Sequence, residues 1–142
     1  MNRRDFIAAA ATACVCALCP GALAGDAEPV EVGVAGDFAA EGVYDRWAKQ
    51  GFFLVRRGNR LYAPVSQCSH QQAPLVKERN GQRLLCTRHK GIFDSAGQPS
   101  AGPPRHALPR LQITIQEGRI TVNPQRRFEP DQWEQPSSFV EL

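Results

Sequence analysis

The chain has 142 residues, 42% of them hydrophobic and 22% charged, a balance that fits one soluble globular domain and leaves no room for a second core. Its formal net charge of +3 is spread over scattered basic residues, so it does not carry the footprint of a nucleic-acid binder. Five cysteines divide into Cys14, Cys16 and Cys19 near the start and Cys68 and Cys86 in the body.

Residues 1–24 read as an address. Arg3-Arg4 and Phe6 precede an alanine-rich apolar run from Ile7 to Leu18; Pro20-Gly21 end it, and Ala22-Leu23-Ala24 has the small-x-small pattern of a cleavage site. The run is shorter than the ~20 residues of a comfortable membrane span. It resembles a twin-arginine export signal, with Asn2 replacing the usual Ser or Thr. An ordinary secretory signal, or an uncleaved anchor, are the alternatives. Cys16-Ala17-Leu18-Cys19 is followed by Pro20 where haem attachment needs His, so the early cysteines are assigned no chemistry.

The mature domain, residues 25–142, begins with a short linker. Val30 to Val34 alternates as a strand. From Phe38 to Lys49 the pattern is ambiguous, and Val43, Tyr44 and Trp47 fit one face of a short helix. Phe52–Arg57 and Leu61–Val65 flank Gly58-Asn59-Arg60 as a hairpin, and Leu75–Lys77 and Arg83–Leu85 flank Asn80-Gly81, a pair favoured in tight primed turns. Ile92 and Phe93 precede a turn at Asp94-Ser95-Ala96-Gly97. Leu111, Ile113 and Ile115 alternate before Glu117-Gly118 turns the chain into Ile120 and Val122. The polar stretch from Arg126 to Leu142 offers Phe128, Trp133 and Phe139 as anchors. Many short strands with closely spaced turns predict an all-β fold, a small antiparallel sandwich or barrel.

Chemistry concentrates in two loops. Cys68-Ser69-His70 and Cys86-Thr87-Arg88-His89 form C-x-H and C-x-x-H motifs, each following a predicted strand. Joined through a hairpin, their tips can meet, and four soft or borderline donors would then converge as a metal site. A single zinc accepts two thiolates and two imidazoles, which leaves open a zinc-stabilised, non-redox binding module. One cysteine and one histidine from each loop suit a two-iron cluster with both thiolates on one iron and both imidazoles on the other.

This pair of motifs resembles the Rieske family, and Gly102-Pro103-Pro104 resembles its proline-rich covering loop. The resemblance implies a Rieske-like fold with a two-loop cluster-binding subdomain. It also implies one [2Fe–2S] cluster held by Cys68, His70, Cys86 and His89, and electron transfer as the function. The family's inter-loop disulfide would need cysteines where Ala73 and Arg88 stand. Its serine and tyrosine donors to sulfur correspond to Gly91 and Phe93.

Two ferric ions, two sulfides and two thiolates sum to zero, so the oxidised cluster is neutral and the reduced one an anion. Neutral imidazoles raise the potential above that of all-cysteine clusters. Each missing charge-assisted bond lowers it by roughly 60–130 mV, from about 1.5–3 kcal/mol; Arg88 and Lys90 offset part of that. A low-potential protein follows, either a periplasmic carrier or the small subunit of an oxidoreductase. It is expected to have no substrate site of its own. Oxygenase chemistry is excluded, because a mononuclear iron needs two more histidines and only His106 remains. His106 itself reads as a surface residue. The expected partner is a redox protein with an acidic patch, docking near the exposed histidines among Arg88, Lys90 and Arg105. A membrane enters only if the signal stays as an anchor.

Overall fold

A computed structural model describes residues 27–142. The expected export signal, residues 1–24, lies outside the described residues. The strands are β1 Val30–Val34, β2 Gly42–Tyr44, β3 Leu54–Arg57, β4 Arg60–Pro64, β5 Leu75–Lys77, β6 Arg83–Cys86, β7 Ile92–Asp94, β8 Pro99–Ala101, β9 Arg110–Gln116, β10 Arg119–Phe128 and β11 Val140–Glu141. All pair antiparallel. The all-β expectation holds.

The body is a curled sheet in the order β1-β10-β9-β4-β3-β2, with β11 added to β4. Strand β4 is its corner: Leu61 pairs with Arg56 and Val140, while Ala63 pairs with Leu111. Alternation sets the register. Ile113 and Val122 face each other across β9 and β10, and both are fully buried, each worth roughly 1.5–3 kcal/mol of burial. Trp47 stacks on Phe52 at 6.3 Å, and Phe38 packs edge-on to Tyr44 at 5.1 Å.

A smaller sheet, β5-β6-β7-β8, projects from the body. Its hairpin tip is held down where the Val43 N–H donates to the Gly81 carbonyl at 3.2 Å.

Some expectations need correction. Val43 and Tyr44 lie on a strand, not a helix, because Val43 pairs with Val55 and Gly42 adopts φ 132°, outside helical range. Ala35–Phe38 and Ala48–Gln50 are single 3-10 turns on either side. Asn80-Gly81 is not a primed turn, which needs positive φ at both central residues; of the two only Gly81 has it, at 70°. Instead the Gly81 N–H donates to the Glu78 carbonyl (2.9 Å), and the Asn80 side chain accepts from Gln82 (3.0 Å). The primed turn lies at Glu117-Gly118, with φ of 51° and 77° between the paired Gln116 and Arg119.

β8 has no alternating signature and was not anticipated; its Pro99 starts an edge strand, where a missing N–H is tolerated. The polar tail is more ordered than its composition suggests. β10 runs on to Phe128 across a bulge containing Pro124, and β11 closes against β4. The Arg110 guanidinium lies between Tyr62 (3.7 Å) and Trp133 (3.9 Å). Burial there holds its pKa down at about 10. Phe139 packs under Arg60 at 4.1 Å, and Phe128 is buried. All three expected anchors make contact with the body.

Candidate metal centre

Two loops and a cover build the site. Residues 65–74 join β4 to β5, residues 87–91 join β6 to β7, and residues 102–109 join β8 to β9. The first two share one backbone plan. The Cys68 N–H donates to the Ala73 carbonyl, and the Cys86 N–H to the Gly91 carbonyl, both at 2.8 Å and both spanning five residues. Four positions after each cysteine the chain turns left-handed, at Gln72 (φ 55°) and Lys90 (φ 54°). Backbone N–H groups of His70 and Gln71 donate to the Cys68 sulfur; those of Arg88, His89 and Gly91 donate to the Cys86 sulfur.

Each sulfur thus sits in a nest of amides that favours the thiolate. Burial opposes this and pushes the Cys68 thiol up, with the adjacent Cys86 adding to the rise. At Cys86 burial also acts upward, but the three amides and the Cys68 thiol together outweigh it and hold the thiol below its ordinary value.

The structure brings the four predicted donors together as two pairs. Cys68 and Cys86 are free, buried and within hydrogen-bonding reach of each other. His70 and His89 lie edge to face with ring centroids 5.0 Å apart. His70 is exposed and His89 half-buried. His89 Nδ1 is buried with no hydrogen-bond partner among the described residues, a costly state unless another atom completes it. Among the described residues no three Cys, His, Asp or Glu side chains converge on one metal position. A thiol pair and an imidazole pair, each with one member from either loop, suit a two-iron group with both thiolates on one iron and both imidazoles on the other.

Contacts that sequence reasoning missed hold the loops. Thr87 donates to the Pro74 carbonyl twice, through its N–H (3.2 Å) and its hydroxyl (3.0 Å). This stitch joins the two loops in a chain with Ala73 and Arg88 at the disulfide positions. The Ser69 hydroxyl donates to the His106 carbonyl at 2.7 Å and ties the first loop to the cover. His106 is exposed, as expected, and lines an open groove with His70, Pro103 and Arg105.

The cover itself is tight. A Cβ on Gly91 would stand 2.6 Å from Pro104 Cγ, and one on Gly102 would stand 2.7 Å from the Lys90 carbonyl oxygen. The proline loop therefore packs where the motif predicted, and a side chain at position 91 would force Pro104 to move. Phe93 is fully buried and brings no hydroxyl. Glycine at 91 was legible as a missing donor, but its steric reason was not.

Comparison with known proteins places the family and the fold. A family model described as the Rieske [2Fe-2S] domain matches residues 28–112. The chain is 35% identical over 60 residues to a carotenoid phi-ring synthase of Chlorobaculum tepidum, covering 42% of this chain and 9% of that protein. It is 32% identical over 94 residues to the cytochrome bc1 complex Rieske iron-sulfur subunit of Corynebacterium glutamicum, covering 64% of this chain and 22% of that subunit. The chain thus spans less than a quarter of either relative's length. Among solved structures, a cyanobacterial plasma membrane Rieske protein from Synechocystis superposes with a TM-score of 0.52 at 23% identity, over 66% of this chain and 97% of that one. A chain of the carbazole 1,9a-dioxygenase oxygenase–ferredoxin complex gives 0.50 at 22% identity, over 71% of this chain and 97% of its own. At these identities the superpositions speak for the fold.

Proposed function

The chain belongs to the Rieske [2Fe–2S] family, and from that premise we propose that Cys68 and Cys86 hold one iron of its cluster and His70 and His89 the other. Membership brings one [2Fe–2S] cluster as cofactor and sets aside the single-zinc reading. When bound, the cluster supplies one-electron chemistry. The chain's own residues do the rest. The amide nests stabilise the two thiolates, the Thr87 stitch and Pro104 hold the loops closed, and exposed His70 brings the redox edge to solvent. What carries this reading is the arrangement of donors: two buried free thiols side by side, and two imidazoles side by side with a buried unpartnered nitrogen.

The potential is low, because Gly91 and Phe93 supply no hydroxyl to the sulfurs. A redox titration is expected to fall near the bottom of the family's span of about −150 to +300 mV, and a midpoint near the top would contradict it. The protein acts as an electron carrier or as an oxidoreductase subunit, with no substrate site of its own. Export by the twin-arginine route places it in the periplasm. Replacing Arg3 and Arg4 with lysines should leave the loaded protein in the cytoplasm; unchanged export would remove that part of the reading.

A further inference from the structure

Gln72 and Lys90 are two of the four non-glycine residues with positive φ among the described residues, and they hold equivalent places in the two loops. Left-handed backbone disfavours any residue with a Cβ, and glycine would make the same turn without that penalty. Both side chains point to solvent. Lys90 takes part in none of the described ion pairs, which use Arg60, Lys77, Arg83 and Arg119. Strain retained at an exposed tip directs attention to what the side chain presents outward.

What it presents is charge. Exposed Arg88 and Lys90 flank His89, and exposed Arg105 lines the groove beside His70. Segments 65–74, 87–91 and 102–109 contain no Asp or Glu. Glu129 lines a cleft against the first loop and has Arg127 on the same wall. The loops that bear and cover the two histidines therefore expose three cations and carry no carboxylate of their own.

Resting on the cluster assignment above, we propose that strained Lys90, with Arg88 and Arg105, forms a docking crown around His70 that selects an acidic face on a redox partner protein. Lys90 is a specificity residue: it contributes charge at the point of electron exit and does not hold the fold. Steering by such a crown raises association rates and weakens with salt.

The test uses the reduced holoprotein with two inorganic oxidants, hexacyanoferrate(III) and tris(phenanthroline)cobalt(III). In each reaction one electron leaves the cluster, the oxidant metal falls from trivalent to divalent, and no bond breaks. The anionic oxidant should react faster as salt is lowered and the cationic one slower. In Lys90→Gly the low-salt advantage of the anion should shrink ~3–10-fold, as expected for loss of one charge near a trivalent ion. The thermal midpoint of Lys90→Gly should be equal or higher, since strain is relieved. Lys90→Gln, which keeps the Cβ, should show the rate effect without that gain. Polyglutamate, read by calorimetric titration, should bind the wild-type protein more tightly than Lys90→Gly.

Salt slopes of the same sign for both oxidants would overturn the crown, as would a Lys90→Gly protein that is markedly less stable. Tighter binding to anionic phospholipid vesicles than to polyglutamate would also overturn it, in favour of a membrane. A protein that never acquires the absorption of a [2Fe–2S] cluster would instead overturn the cluster assignment, which separates the two failures.

Discussion

The body and the cluster loops are built by different physics. In the sheet, Ile113, Ile120 and Val122 are fully buried and alternate with half-buried or exposed neighbours, while the corner strand β4 is buried from Leu61 to Pro64, so burial sets both register and stability. In the loops, position is set by backbone bonds across five residues, by the Thr87 stitch and by the Gly91–Pro104 contact. The sheet and the candidate cluster loops are thus held by different sets of contacts within one small domain.

The comparison can be broken at its strongest point first. Ile113→Ala removes a fully buried side chain and should cost about 2–5 kcal/mol in stability. The midpoint potential should stay where it was; a shift in both would mean that body and loops are not separable. Gly91→Ala introduces a Cβ against the rigid Pro104 ring, an overpacking expected to cost about 1–3 kcal/mol. That loss should be largely relieved in the Gly91→Ala/Pro104→Ala double variant, as a double-mutant cycle by thermal or chemical unfolding would show. Thr87→Val deletes the hydroxyl bond to the Pro74 carbonyl but keeps the amide bond. It should cost only about 0.5–1.5 kcal/mol, yet hasten loss of cluster absorbance, because it loosens the join between the loops.

How much of this was legible follows the same division. Alternation in β9 and β10 revealed those strands because one face of each is buried, whereas in β1 only Val32 is buried. The candidate donors stood out because cysteine and histidine at those spacings have few structural uses. Tertiary contacts overrode local signals elsewhere. Val43 and Tyr44 join a strand because Val55 and Leu54 pair with them and Gly81 accepts from the Val43 N–H. Asn80-Gly81 gives up the primed turn to a wider loop closed by Glu78 and Gln82. No local pattern marks Gln72 or Lys90 as left-handed, Thr87 as a stitch, or Gly91 as a slot for Pro104. Each is defined by a contact or a closure that exists only after folding. Pro99–Ala101 forms a strand only because β7 is there to pair with it.

The central claim is that two sulfurs and two ring nitrogens share one inorganic centre. Electron paramagnetic resonance of the dithionite-reduced protein reads this directly. The account predicts a rhombic signal with an average g value well below that of all-cysteine clusters, with hyperfine coupling to two imidazole nitrogens. An all-cysteine g average without nitrogen coupling, or no iron signal from pure protein, would contradict it.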